Sequence, residues 1–130
     1  MAGAMIVAFA TLVPSVFAAS PKPFHLDKTC ASDVLCTVVS SDFKWIPADT
    51  DVTYVTDWDN WLTYPTIAVR NGSTTGVCDW NQPPGEVLAK CSFGDGTGRL
   101  TSFHLAVDVT VTGDPSSPDA MWHWDGFYDF

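Results

Sequence analysis

Hydrophobic and polar positions alternate along most of the chain after Val34, the period expected of strands that bury one face. The clearest stretch is Thr101–Thr112. Phe103, Leu105, Val107, Val109 and Val111 fall on one side of it, and His104, Ala106, Asp108, Thr110 and Thr112 fall on the other. Val34–Val39, Val52–Thr56, Thr66–Val69, Thr74–Cys78 and Glu86–Phe93 are shorter, β-branched or aromatic, and bounded by Gly, Pro, Asn or Asp. Gly113–Asp119, carrying Pro115 and Pro118, makes a turn before a terminal aromatic strand, Met121–Phe130. That strand is expected to close or pair within a sheet, because an exposed edge so rich in aromatics invites aggregation. No window shows a capped helical period. The pattern therefore predicts an all-β domain, a small antiparallel barrel or sandwich.

The segment before these strands reads differently. Met5–Val13 is an uncharged apolar run, too short to span a bilayer, and Val16-Phe17-Ala18 supplies the small residues that a signal peptidase reads. Residues 1–18 are thus expected to be an export signal, cleaved after Ala18, which makes the protein secreted and extracellular. Residues 19–29 contain Pro21 and Pro23 and read as an extended arm, able to dock on a partner as an added strand. Residues 30–130 form the single β domain.

Export changes the meaning of the cysteines. Cys30, Cys36, Cys78 and Cys91 are an even set behind a signal and read as two disulfides. Three pairings are possible; Cys30–Cys36 and Cys78–Cys91 are favoured, because each joins near neighbours and the Pro83-Pro84-Gly85 turn brings 78 and 91 across a hairpin. No C-x-x-C occurs, so a zinc or redox-active reading of the thiols has little support.

The 130 residues carry 15 acidic and 6 basic side chains, a net charge of −9, and all the acids but Glu86 are Asp. With so few cations, nucleic acid and anionic membranes are excluded as natural partners. A basic protein surface or a cation suits this charge better.

Candidate chemistry is sparse. Gly94–Gly98 resembles a phosphate cradle, but a strand rather than a helix follows it, so it is expected to be a tight turn with positive φ angles. His104 and Asp108 share a face, as do His123 and Asp125. In one register of the last two strands the four come together; a one-residue slip sets the first pair beside Trp122, Trp124 and Tyr128. There is no Gly-x-Ser-x-Gly elbow. Asp57, Asp59 and Asn60 would be the first candidates for a calcium site, although they suit solvated turns better. No cofactor or resident metal is expected. All six Trp lie beyond the signal, and Trp58, Trp61, Tyr64, Trp122 and Trp124 are the binding candidates, since flat apolar faces anchor partners, apolar ligands and sugars. Asn71-Gly-Ser73 is a glycosylation sequon.

Cys91–His104, with Val107-Asp-Val-Thr and Trp122–Tyr128, resembles a group of small exported actinobacterial proteins. Its Gly-Thr-Gly-Arg-Leu element, Gly96 to Gly98 onward, is similar to a turn and strand of the allene oxide cyclase and dirigent barrel superfamily. Members of that superfamily are eight-stranded antiparallel barrels, some holding an apolar ligand in the lumen; this chain is short for such a barrel, and what the resemblance implies for it is the turn, Gly96 to Gly98. Three functions follow as expectations. The leading one is a non-catalytic subunit or adaptor of an extracellular assembly, of the kind found in secreted toxins, with another secreted protein as partner. The alternatives are a barrel binding a small ligand or glycan, and a barrel enzyme of isomerase or cyclase type using His104, Asp108 and His123.

Overall fold

The computed structural model describes residues 20–130; the expected export signal, residues 1–18, lies outside them. Eight antiparallel strands form a closed barrel in chain order: β1 (Lys22–Cys30), β2 (Leu35–Ser41), β3 (Asp51–Asp57), β4 (Leu62–Val69), β5 (Gly72–Asp79), β6 (Ala89–Gly98), β7 (His104–Thr112) and β8 (Met121–Asp129). Of the two expected architectures, it is the barrel that forms. Closure leaves no edge, and the aromatic last strand is paired on both sides, with β7 and with β1.

The extended arm proves to be a strand of the barrel. Lys22–Lys28 pairs with Tyr128–Trp122 and Leu26–Cys30 pairs with β2, so the segment supplies the eighth strand instead of projecting to a partner. The physical reason is its alternation: Phe24, Leu26, Lys28 and Cys30 face inward, while His25, Asp27 and Thr29 face outward. Pro21 precedes the strand, and Pro23 sits near its start, where proline is tolerated.

The alternation predicted for Thr101–Thr112 holds in a strand that begins at His104, with Leu105, Val107 and Val109 buried; Thr101–Phe103 belong to the preceding turn, where Phe103 is also buried. The glycine run is corrected. Gly94–Gly98 continues β6, and the reversal follows it at residues 99–103. Positive φ occurs at Asp95 (50°), Gly98 (58°) and Ser102 (67°). Gly98 is required by contact as well as by φ, because a Cβ there would lie 1.9 Å from the Asn71 carbonyl oxygen.

Antiparallel order sends alternate loops to opposite ends of the barrel. At one end the long β2–β3 connection folds Phe43 and Ile46 inward against Phe24, Phe103 and Tyr128; the Phe43 ring stacks on Phe103 at 5.3 Å and meets Tyr128 at 4.5 Å. This plug seals that end. At the other end both favoured disulfides, Cys30–Cys36 and Cys78–Cys91, tie directly opposed residues of neighbouring strands. They match a domain folded in an oxidising environment. Among the described residues no helix is long and apolar enough to cross a membrane.

Loop closure predicts about 3 kcal/mol from the longer disulfide and about 2 kcal/mol from the shorter. Replacing Cys78 and Cys91 together by Ala should lower unfolding free energy by about 2–3 kcal/mol, and replacing Cys30 and Cys36 should lower it less. Urea denaturation of the two double variants checks the order.

Candidate functional site

The unplugged end of the barrel holds a cavity of about 430 Å³. That volume lies within the range of small-molecule sites. Its walls are Trp122 and Trp124 of β8, Tyr54 of β3, Thr63 of β4 and Trp80 just after β5; Trp58 and Trp61, at the tip of the β3–β4 hairpin, stand at its mouth. Trp80 is fixed by its indole N–H donating to Thr63 Oγ1 at 2.9 Å and by an edge-on contact with Trp122 at 6.1 Å. Trp58 and Trp61 meet edge to face at 6.0 Å. The wall is therefore rigid and aromatic, while the rim remains in solvent.

Lys28 points into this space. It is 2% exposed, and its ammonium lies 4.8 Å from the Trp124 ring centroid, 5.6 Å from Tyr54 and 5.7 Å from Trp122. Among the described residues no hydrogen bond or ion pair reaches it. Among the described residues no side-chain polar atom is both fully sealed and unpaired, so the ammonium opens onto the cavity. Burial pushes its pKa down to about 7 and raises that of the Tyr54 phenol. Ring faces favour the cation by only about 0.5–2 kcal/mol, and they accept none of its three N–H bonds in the way a carboxylate would.

The sequence candidates divide between this cavity and the outer wall. Trp58, Trp61, Trp122 and Trp124 come together at the cavity, whereas Tyr64 lies on the exposed outer face of β4. Trp124 is 1% exposed and Trp58 61%, so the first is wall and the second rim. His104, Asp108, His123 and Asp125 all face outward, in the first of the two registers considered, with Asp108 opposite Asp125 and Thr110 opposite His123. They do not converge in a pocket. His104 pairs with Asp129 at 3.2 Å near the plugged end, Asp108 pairs with Lys90 at 2.9 Å, and His123 turns to Asp27. Asp57 is occupied by its own turn, accepting from the backbone N–H of Asp59 and Asn60 and from the Asn60 side chain at 2.8 Å. Those bonds hold its carboxyl below the usual range.

Lys28, Tyr54, Trp80, His25 and Asp27 were not singled out in the sequence. The signal for the two faces of β1 was present: Phe24-x-Leu26-x-Lys28-x-Cys30 is a period-two run, and it places a lysine on the apolar side.

The depressed pKa of Lys28 has a definite sign for stability. Between about pH 7 and pH 10.5 the folded lysine is largely neutral while the unfolded one is protonated. The unfolded state then binds more protons, so stability rises with pH across that window. At pH 7 the penalty is on the order of 4 kcal/mol. Lys28→Met should therefore stabilise the protein by about 1–4 kcal/mol at pH 7, with the gain shrinking toward pH 10. Denaturant unfolding at the two pH values checks this; a loss of stability at pH 7 would contradict it. Comparison with protein-family models, with curated proteins and with solved structures returns no match.

Proposed function

We propose that this protein is a secreted, disulfide-stabilised barrel that binds a small, largely apolar organic acid, with the ring system of the ligand between the tryptophans and its carboxylate on Lys28. The single observation carrying this reading is the unpaired ammonium inside an aromatic cavity. Aromatic walls bind apolar bodies through buried area and ring contacts. One convergent polar group in such a wall sets orientation and specificity. A bound carboxylate would accept the hydrogen bonds that the rings leave unmet and would favour the charged amine.

Binding, rather than catalysis, is proposed. The titratable groups lining the cavity are Lys28, Tyr54 and Asp33, and the last of these lies in the exposed β1–β2 loop. The exposed pair Trp58 and Trp61, 61% and 57% accessible, supports a second reading in which the rim docks on a secreted partner protein.

2-Naphthoate and its uncharged counterpart 2-naphthylmethanol separate these readings by quenching of tryptophan fluorescence. Naphthoate should bind at least tenfold more tightly than the alcohol, and Lys28→Met should abolish that preference while leaving alcohol binding intact. Because the ligand needs the ammonium form, naphthoate affinity should fall as pH rises above about 7, by up to tenfold per unit. Asp33 and Tyr54 face the same space; Asp33→Asn should leave this trend in place. If neither compound binds and Trp58→Ala abolishes capture of a protein from culture medium, the adaptor reading replaces this one.

A further inference from the structure

Three metal-ligating atoms converge on the outer wall, on the opposite side of β1 from the cavity. Asp27 Oδ1 lies 2.9 Å from His25 Nε2 and 2.6 Å from His123 Nδ1, and the three atoms lie within 4.8 Å of one another. Strand pairing puts them there: Asp27 stands directly opposite His123 and His25 directly opposite Asp125 across the β1–β8 seam.

Each of these three side chains is also held from behind by a different partner. His25 Nδ1 bonds Asp125 at 2.5 Å, His123 Nε2 meets Thr112 Oγ1 at 2.8 Å, and Asp27 Oδ2 accepts from Ser40 Oγ at 2.9 Å. Such outer partners fix ring orientation and make an imidazole a better donor to a metal. With Asp125 taking the Nδ1 proton, the Nε2 lone pair of neutral His25 faces a carboxylate. Thr112 can likewise take the Nε2 proton of His123, which turns its Nδ1 lone pair to the same oxygen. Both ring lone pairs then face the Asp27 oxygen, an arrangement relieved by protons on the rings or by one metal ion bound among the three. Among the described residues no Lys or Arg forms an ion pair with Asp27 or Asp125.

We propose that His25, Asp27 and His123 form a site for one divalent transition-metal ion of the zinc type, supported by Asp125, Thr112 and Ser40. Two imidazoles and a carboxylate suit zinc, and three protein ligands leave a position for water. Metal–ligand bonds of about 2.0–2.1 Å require neighbouring donor atoms to stand about 2.9–3.4 Å apart. Binding would open the Asp27 contacts from 2.6 and 2.9 Å and bring the two ring nitrogens, now within 4.8 Å of each other, into the same range. His25 is partly exposed, with 41% of its side chain accessible, so an ion can enter from solvent. The site is independent of ligand binding in the cavity, and it is not the Asp57, Asp59 and Asn60 turn.

The test is calorimetric titration of the oxidised, signal-free chain with Zn²⁺ at pH 7.5 in a non-chelating buffer. One ion per chain is expected. Asp27→Asn and His123→Ala should each weaken binding by more than tenfold, Asp125→Asn should weaken it by roughly tenfold, and Asp57→Asn should leave it unchanged. Should His123→Ala fail to fold, Co²⁺ added to the unaltered chain should shift the imidazole resonances of His25 and His123 but not of His104. The absence of 1:1 binding up to millimolar Zn²⁺, binding unaffected by both Asp27→Asn and His123→Ala, or Co²⁺ shifts at His104 instead would overturn the proposal and leave a proton-bridged surface cluster.

Discussion

The pairing of β1 with β8 is the constraint on which the rest of the molecule depends. It turns an open eight-stranded sheet into a closed barrel, and it does so in one register, Lys28 against Trp122 and His25 against Asp125. Because side chains alternate, that register decides both faces together. Lys28 is delivered among the rings of Trp122 and Trp124 on the inside, while Asp27 is delivered to His123 on the outside. A slip by one residue would expose Phe24 and Leu26 and bury His25 and Asp27 without their partners. The burial of two large apolar side chains, each contributing about 1.5–3 kcal/mol, therefore enforces the geometry of both polar groups.

The two ends of the barrel have diverged under the same topology. The β2–β3 connection is long enough to fold an aromatic plug back into the lumen, and Phe43 there packs against rings from β1, β8 and the β6–β7 turn. The opposing end has short β1–β2 and β3–β4 turns beside longer β5–β6 and β7–β8 connections, and its aromatics line the space instead of filling it. Both disulfides sit toward this unplugged end. The end that lacks a packed core is thus held by covalent links, which restrain it without occupying the cavity.

The strands, their spacing and the disulfide pairs were legible in the sequence, because alternation and nearest-neighbour cysteines are local properties. Thr101–Thr112 showed its two faces directly. The first strand was concealed by Pro21 and Pro23, which read as an arm although Phe24-x-Leu26 already carried the period of a strand. The site was legible only in part. Four of the tryptophans named from composition do meet at the cavity, but Tyr64 faces out, and the lysine that gives the cavity its polarity became visible only once β1 was seen as a strand. The pairing of His123 with Asp27 depends on residues 96 positions apart, and nothing local encodes which two strands close a barrel.

Electrostatics set the two proposed sites in opposition. The chain carries 15 acids, and of the six basic residues Lys28 is withdrawn into the lumen. A divalent cation approaching the outer wall is drawn by this field, whereas an organic anion approaching the cavity is repelled until it passes the rim. At physiological ionic strength the field decays over about 8 Å, so the repulsion acts on the approach and fades as salt is added. Inside, the low-dielectric wall strengthens the attraction of Lys28 for a carboxylate that has shed its water. Under the proposed function, selectivity for an amphipathic acid would reside in the buried step: a fully hydrated anion has no apolar body to offset the loss of its water, while an aromatic acid would exchange that loss for contact with the Trp122 and Trp124 rings.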